Sequence, residues 1–271
     1  MTNIGVTLDV ILSMRSGVRH FFIFGVQEAL SCIFPAIVFA ALGLSHYVTI
    51  LPRYDFMLIV CLLAQCALYF SGMESRDEVK VICVFHLLGL AMELFKVHIG
   101  SWSYPEAAYT KFAGVPLYSG FMYASVASYM CQAWRRFDLT MVNWPHHIPV
   151  RISGALVYLN FFTNHFFHDL RYVYGIFICY LFRRSWVVFH IERKAYRMPV
   201  TISFLLIGFF IWLAENIATL LGAWKYAYQH KGWAMVNYQK ISSWAFLVIV
   251  SYIIVAELRM VKKPDTDVQS Q

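Results

Sequence analysis

Glu-Leu-Phe-Lys-Val-His-Ile-Gly-Ser-Trp-Ser-Tyr, residues 93–104, closes an apolar run that begins near residue 79. A second stretch, residues 215–226, reads Glu-Asn-Ile-Ala-Thr-Leu-Leu-Gly-Ala-Trp-Lys-Tyr. In both stretches the glutamate is followed by glycine at +7, tryptophan at +9 and tyrosine at +11, and Glu215 follows Glu93 by 122 residues. Each copy also lies between two apolar runs. Self-similarity at a fixed spacing is the signature of an internal repeat, so this pattern predicts a duplication.

The composition indicates a protein that is dissolved in lipid. Hydrophobic residues make up 60% of the 271 residues and charged residues only 14%, whereas a soluble domain has about 25% charged residues. A soluble core of this size cannot hide so much apolar surface, so we expect the lipid bilayer to cover it. The net charge of +7 does not indicate nucleic acid, because the basic residues lie between apolar runs and form no basic face.

Eight apolar runs are long enough to predict membrane spans, which need about 20 mostly apolar residues. No linker rich in Gly, Ser or Pro divides the chain, so residues 1–271 form one predicted membrane domain with loose tails at 1–18 and 262–271. The predicted fold is an all-α, polytopic transmembrane helical bundle. The predicted spans are residues 21–45, 54–72, 79–98, 115–134, 150–167, 172–190, 199–221 and 241–258.

Lys and Arg are unevenly divided between alternate loops. Fifteen lie in the two tails and in loops 72–80, 135–151 and 183–198, against seven in the remaining loops. This bias predicts a multi-pass protein of the cell (inner) membrane with both termini in the cytoplasm. The repeated motif predicts two four-span halves, about 20–135 and 150–260. Because four is even, the halves are predicted to be parallel repeats about an axis along the membrane normal.

Glu93 and Glu215 are the candidate catalytic residues. A carboxylate inside a span is costly and usually faces the bundle interior, where it marks a function. Two carboxylates related by pseudo-symmetry would meet near the axis, with one protonated and the other ionised, as acid–base chemistry requires. The alternative is that each glutamate only braces a helix end in the wet interface.

Polar and aromatic residues near the glutamates are candidate substrate-binding groups. Trp and Tyr at the end of a span are also typical anchors at headgroup depth, and a glycine before them ends the helix. The candidate substrate-binding residues are Trp102, Tyr104, Asn164, Trp224 and Tyr226.

His165, His168 and Asp169 are candidate metal ligands. On a helix the two histidines are three positions apart and the aspartate is four from His165, so all three share one face. Two imidazoles and a carboxylate suit zinc or another divalent metal, the only cofactor that the sequence predicts. The alternative is a solvated interfacial loop with an ion pair between Asp169 and Arg171.

The motifs carry two resemblances. Gly-Ser-Trp-Ser-Tyr-Pro-Glu (100–106) and Gly-Val-Pro-Leu-Tyr-Ser-Gly-Phe-Met-Tyr-Ala-Ser (114–125) resemble an uncharacterised family of bacterial integral membrane proteins, the YoaT-like proteins, over nearly the whole chain. That resemblance implies a polytopic membrane protein and no particular activity. The Glu, Gly and aromatic-x-Tyr pattern also resembles that of membrane carotenoid-modifying proteins, the small lycopene cyclases and carotenoid hydratases. This second resemblance implies that Glu93 and Glu215 protonate a polyene beside aromatic residues that steady a carbocation.

Three functions are compatible with these patterns. The first is an intramembrane enzyme that does acid–base chemistry at the two glutamates on an apolar, isoprenoid or lipid, substrate. The second is a small-solute or ion transporter with the paired glutamates as its coupling site. The third is a non-catalytic membrane scaffold. A transporter needs polar groups accessible from both faces, whereas an enzyme needs only a closed cleft with one opening.

Overall fold

Helices dominate the chain, as the sequence predicts. The computed structural model describes residues 3–229 and 231–262, with side chains at 17–229 and 231–256. The predicted loose tail at 1–18 is wrong from Asn3 onward, where the first helix begins, and residues 263–271 of the other predicted tail lie outside the described residues. The helices are α1 (Asn3–Ser31), α2 (Ile33–Leu44), α3 (Arg53–Phe70), α4 (Arg76–His98), α5 (Ser119–Arg136), α6 (His147–Thr163), α7 (Arg171–Leu181), α8 (Val200–Leu220) and α9 (Lys240–Lys262), with a 3₁₀ turn at Ala227–Gln229.

Several helices have the length and composition of membrane spans. Within the described residues α3, α4 and α8 each qualify alone, and Gly17–Ser31 of α1 qualifies together with α2 across a bend of 63°. The predicted span 21–45 is therefore broken rather than straight. Helix α7 and Lys240–Ala256 of α9 are shorter apolar helices. Length and composition thus support three or four spans in the described part of the chain, fewer than the eight predicted.

Short strands correct the all-α prediction. The predicted span 172–190 is wrong in its second half, because α7 ends at Leu181 and Trp186 begins a strand rich in β-branched and aromatic residues. That strand turns through Glu192, whose φ is 56°, into the next strand. The strands are β1 (Trp102–Ser103), β2 (Lys111–Phe112), β3 (Val115–Pro116), β4 (Thr140–Val142), β5 (Trp186–Ile191), β6 (Lys194–Pro199) and β7 (Lys225–Tyr226).

The bundle has two distinct ends. At one end β4, β5 and β6 form an antiparallel sheet, which we call the hairpin face. His20 of α1 bonds Tyr196 of this sheet at 2.8 Å, and the ring of Trp144 lies 5.2 Å from that of Phe182. At the other end lie residues 99–118, 221–229 and 231–239, which we call the motif face because both copies of the repeated motif end there.

Helix packing follows the same scheme in the two parts of the chain. Helix α4 packs along α5, and α8 packs along α9. Helix α2 contacts α3 and α5, while α6 contacts α7 and α9. Close approach depends on small residues: a Cβ at Gly89 would lie 2.4 Å from the ring of Tyr123, and one at Gly208 would lie 2.7 Å from the backbone of Ala245.

Candidate paired-glutamate site

Both copies of the motif end their helix with the same turn. Gly100 and Gly222 have φ of 75° and 72°, in the left-handed region that glycine favours. Ser101 N donates to Lys96 O at 2.9 Å, and Ala223 N donates to Ala218 O at 2.9 Å, so the hydrogen bonds have equivalent positions. The prediction that the +7 glycine ends each helix is confirmed. The turn sends the following aromatic residues back over the helix end.

Glu93 is buried and is held by aromatic donors. Its side chain is 2% exposed. The indole of Trp102 and the hydroxyl of Tyr104 both donate to Oε2 at 2.7 Å, and the hydroxyl of Tyr123 from α5 donates to Oε1 at 2.7 Å. A carboxylate that accepts this many bonds is well satisfied despite its burial.

Glu215 has a matching set of contacts. It is 4% exposed, and its Oε1 accepts a hydrogen bond from the hydroxyl of Tyr226. The indole of Trp244, from α9, donates to Oε2 at 2.6 Å. The +11 tyrosine and a residue of the following helix therefore serve both carboxylates. The +9 tryptophan does not serve both carboxylates in this way. In the second copy it is Trp224, which is buried within hydrogen-bonding reach of Tyr226 instead.

The two copies of the motif meet on the motif face. Strands β1 and β7 are antiparallel, with Trp102 opposite Tyr226 and Ser103 opposite Lys225. Lys225 follows Ser103 by 122 residues, the same separation as that of the two glutamates, so the paired segment is centred on equivalent positions. The rings of Trp102 and Tyr226 are 6.0 Å apart.

Lys240, the first residue of α9, lies between the two halves of this site. Its ammonium is 5.2 Å from the ring centre of Trp102 and 5.0 Å from that of Tyr226, within the range of cation–π attraction. Its charge also attracts both glutamates. We call the set Glu93, Trp102, Tyr104, Tyr123, Glu215, Tyr226, Lys240 and Trp244 the paired-glutamate centre.

The two motif tyrosines keep their protons. Burial, followed by the charge of Glu93, raises the pKa of Tyr104 well above its ordinary value. Burial and the charge of Glu215 do the same to the pKa of Tyr226. Both hydroxyls therefore remain hydrogen-bond donors to their glutamates at any physiological pH.

An apolar cavity adjoins the centre. Its volume is about 10 Å³, room for one water-sized group. Tyr123 belongs to its wall, and so links the Glu93 carboxylate to apolar surroundings. The cavity is lined by Phe85, Leu88, Gly89, Met92, Tyr123, Tyr158, Leu247 and Val250.

The predicted metal ligands are not arranged as a metal site. The Nε2 atom of His165 lies 2.5 Å from the Lys96 ammonium, and His168 is exposed on the loop after α6. Asp169 accepts from Arg171 Nε at 2.6 Å. Among the described residues no group of three or more His, Cys, Asp or Glu side chains could hold a metal ion. The arrangement matches the alternative, a polar loop with an ion pair between Asp169 and Arg171.

Local charges shift the pKa of two groups in this loop. Partial burial and the charges of Lys96 and Lys240 lower the pKa of His165, so its imidazole is neutral near pH 7. Burial raises the pKa of Asp169, but hydrogen bonds from Arg171 and Asn160 and the Arg171 charge outweigh it, and the net pKa is lowered. Lys96 thus donates to a neutral imidazole.

Asn164 lies apart from the paired-glutamate centre. It caps the end of α6, and its Oδ1 atom is buried without a hydrogen-bond partner in the structure. A second cavity of about 10 Å³ between α6, α7 and α9 is lined by Asn164, Asn160 and Arg171, among others. The structure therefore groups Trp102, Tyr104 and Tyr226 with the glutamates, brings Trp224 only to Tyr226, and places Asn164 elsewhere.

Sequence reasoning missed part of the centre. Tyr123 lies in the predicted span 115–134, yet nothing in its spacing indicates which carboxylate it meets. Lys240 and Trp244 open the span that follows the second motif. The spacing from the glutamates could have indicated Trp244 and Tyr123 as equivalent partners, because Trp244 follows Glu215 by 29 residues and Tyr123 follows Glu93 by 30.

Comparison with known proteins gives two matches. Residues 20–252 match the family described as protein of unknown function (DUF817). The chain is also 55% identical over 242 residues to the uncharacterized protein YoaT of Bacillus subtilis (strain 168), covering 89% of this chain and 92% of that protein. No solved structure matches. The predicted resemblance to YoaT-like proteins is confirmed.

Proposed function

The chain belongs to the DUF817 family, and we propose that it is a polytopic cell-membrane protein whose paired-glutamate centre transfers protons to and from an apolar substrate. Its termini face the cytoplasm in this proposal, because the hairpin face carries the excess of Lys and Arg. The motif face then lies at the outer surface of the membrane.

The path of the chain supports eight crossings. In this proposal it crosses between the hairpin face and the motif face through α1–α2, α3, α4, α5, α6, α7, α8 and α9 in turn, the order of the helices in the chain. The shortest crossing is α7, which is about 16 Å long, half the thickness of a hydrocarbon core. Its ends nevertheless reach both faces, because Arg171 lies 3.4 Å from Ser242 at the start of α9 and Phe182 packs on Trp144.

A parallel duplication accounts for the arrangement of these helices. The two halves are α1–α5 and α6–α9, with α4 and α5 equivalent to α8 and α9. The supporting observations are the matching helix contacts, the matching Gly100 and Gly222 turns, and the pairing of β1 with β7 about Ser103 and Lys225. A two-fold axis along the membrane normal would pass between these two residues.

The observation that carries the proposed activity is the shared environment of the two carboxylates. Both are buried, both accept hydrogen bonds only from tyrosine and tryptophan among the described residues, and one ammonium attracts both. Tyr123 joins Glu93 to the wall of an apolar cavity. That cavity has room for one water-sized group, so in this proposal an apolar substrate enters only when the helices around Tyr123 separate.

The proposed step is the isomerisation of a carbon–carbon double bond. In the proposed reactive state Glu93 is protonated and donates to the Tyr123 oxygen, the reverse of the hydrogen bond described above. The Tyr123 hydroxyl then gives its proton to one alkene carbon while Glu93 passes its own proton to the phenol oxygen. Loss of a proton from a neighbouring carbon then leaves the double bond in a new position, and this proton returns to the Glu93 carboxylate through Tyr123. Aromatic faces around the centre would steady the intermediate cation. The step needs no further reactant.

Transport is a second candidate, favoured by one specific observation. Three carboxylates meet α5 along its length: Glu93 at Tyr123, Glu74 at Ser128 and Glu28 at Tyr129. Together with the broken α1–α2 span, this line of polar groups resembles the coupling sites of transporters.

Bound lipids distinguish these functions. We would purify the wild type, a Glu93→Gln/Glu215→Gln variant and a Glu192→Gln control, extract their apolar lipids and compare them by chromatography and mass spectrometry. Glu192 suits the control because it lies on the hairpin face, far in sequence from both motifs. The enzyme proposal predicts that the double variant retains a compound equal in mass to one in the other two proteins but different in retention time.

Other results would redirect the proposal. Identical lipids in all three folded proteins would contradict an enzyme. A transporter would then be indicated if wild type takes up solute in proteoliposomes and the double variant does not. If neither the lipids nor the uptake differ, the remaining function is a non-catalytic membrane scaffold.

A further inference from the structure

A group of basic side chains on the motif face lies beside the paired-glutamate centre and shares Lys240 with it. Lys96 lies in the last turn of α4, Arg171 begins α7 and Lys240 begins α9, with His165 of the α6–α7 loop among them. The charges of Lys96, Lys240 and Arg171 act on one another, so the three cations are close neighbours. We call Lys96, His165, Arg171 and Lys240 the basic cluster.

The charges of the cluster are unequally compensated. Arg171 has the carboxylate of Asp169 at 2.6 Å. Lys240 is held over two aromatic rings and attracted by both glutamates. Lys96 is only 7% exposed, and its ammonium contacts the neutral imidazole of His165. No described carboxylate lies within 4.0 Å of the Lys96 ammonium.

An isolated buried cation is unfavourable, because it has lost its hydration without gaining a counter-charge. The charge of Asp169 acts on Lys96 only from beyond 4.0 Å, so the Lys96 ammonium has no described carboxylate in contact, and Arg171 is a further cation nearby. A phosphate group has the charge and the several acceptor oxygens that such a set of donors would bind.

The surface beside the cluster is suited to hydrocarbon. Phe166 and Phe167 are 69% and 74% exposed, and Tyr172 is 74% exposed, immediately before and after the polar residues of the α6–α7 loop. Large exposed aromatic side chains at the end of a membrane helix are typical of contact with lipid at headgroup depth. A ligand with a phosphate at Lys96 would place an attached apolar chain along these rings.

We propose that the basic cluster binds the phosphate group of an anionic amphiphile and so holds its apolar chain near the paired-glutamate centre. This inference rests on the proposed function only for the reaction of the bound apolar chain. The binding of the phosphate group itself does not require the two glutamates. It also gives His165 a role as a neutral acceptor that orients Lys96, in place of metal ligation.

The test measures lipid binding by native mass spectrometry of the full chain in detergent. The probes are dioctanoyl phosphatidic acid, dioctanoyl phosphatidylcholine and inorganic phosphate. We expect wild type to retain one phosphatidic acid at concentrations where phosphatidylcholine and inorganic phosphate are not retained. Lys96→Gln should weaken this binding by about tenfold or more, as expected for the loss of one charge-assisted hydrogen bond.

Two variants keep the test interpretable. Lys225→Gln removes an exposed lysine of the same face and should bind as wild type does. Glu93→Gln/Glu215→Gln should also retain the lipid even if the activity proposal fails. Equal binding of phosphatidic acid by folded Lys96→Gln would overturn the inference, as would equal retention of phosphatidylcholine. If inorganic phosphate bound as tightly as phosphatidic acid, the inference that the ligand is an amphiphile would be overturned, and the cluster would be a site for the free ion.

Discussion

Gly89→Ala should disrupt the Glu93 side of the centre without altering any polar group. A Cβ at Gly89 would lie 2.4 Å from Cγ and Cδ2 of Tyr123 and 2.6 Å from its Cβ, closer than real carbon contacts. Tyr123 cannot move aside freely, because its hydroxyl is bound to Glu93 at 2.7 Å and its ring packs between α4 and α5. The helices are therefore forced apart, and the hydrogen bond breaks as the ring is displaced.

The expected loss follows from three opposing contributions. Overpacking costs about 1–3 kcal/mol, and loss of a hydrogen bond to a charged group costs about 1.5–3 kcal/mol. The better helix propensity of alanine returns about 1 kcal/mol. We therefore expect Gly89→Ala to lower the free energy of unfolding by about 1.5–5 kcal/mol.

The assay is unfolding of the purified protein in detergent, followed by tryptophan fluorescence. Gly25→Ala in α1 is the matched control, because nothing lies within 4 Å of a Cβ there, and it should be as stable as wild type or more so. Adding Gly89→Ala to Tyr123→Gly should cost little, since both the ring and the Cβ atom that would clash are gone. A Gly89→Ala protein as stable as the Gly25→Ala protein would refute this account of the α4–α5 contact.

Three further predictions concern neighbouring groups. Tyr104→Phe and Tyr226→Phe should each lower the free energy of unfolding by about 1.5–3 kcal/mol, because each removes a donor to a buried carboxylate; unequal effects would contradict the equivalence of the two sites. Asp55→Asn should weaken the hydrogen bonds that hold the loop between β1 and β2, and so raise hydrogen exchange there relative to α8. EDTA should leave the melting temperature unchanged, since the Lys96 ammonium contacts His165 Nε2. A lower melting temperature in EDTA would support a metal site at His165, His168 and Asp169.

The sequence predicts the helix-ending turn of each motif better than it predicts the number of spans. The glycine at +7 acts locally, so the repeat predicts the turn at Gly100 and Gly222. The tyrosines at +11 are predicted to bind substrate, and the structure shows that they donate to Glu93 and Glu215. The partners from α5 and α9 depend on how helices pack, which residue spacing within one helix does not reveal. Tyr123 and Lys240 therefore emerge only from the structure.

The sixth predicted span shows the limit of apolar runs as a signal. Residues 172–190 are apolar enough to suggest one helix, but a short buried strand and a helix segment have the same hydropathy. Arg183 and Arg184 interrupt the run, and the β-branched residues after them pair with β4 and β6. The predicted metal ligands rest on a shared helical face, whereas α6 ends at Thr163 and Asp169 lies in a loop, where it accepts a hydrogen bond from Asn160.

The account depends most on the claim that the two copies of the motif meet in one centre. Ser103→Cys with Lys225→Cys tests it directly, because these residues face each other in the β1–β7 pair. Oxidation in membranes followed by peptide mass spectrometry should give an intramolecular disulfide between positions 103 and 225, and none between 103 and 231 in a Ser103→Cys/Lys231→Cys control. Equal yields in the two proteins, or no link at 225, would contradict the paired-glutamate centre.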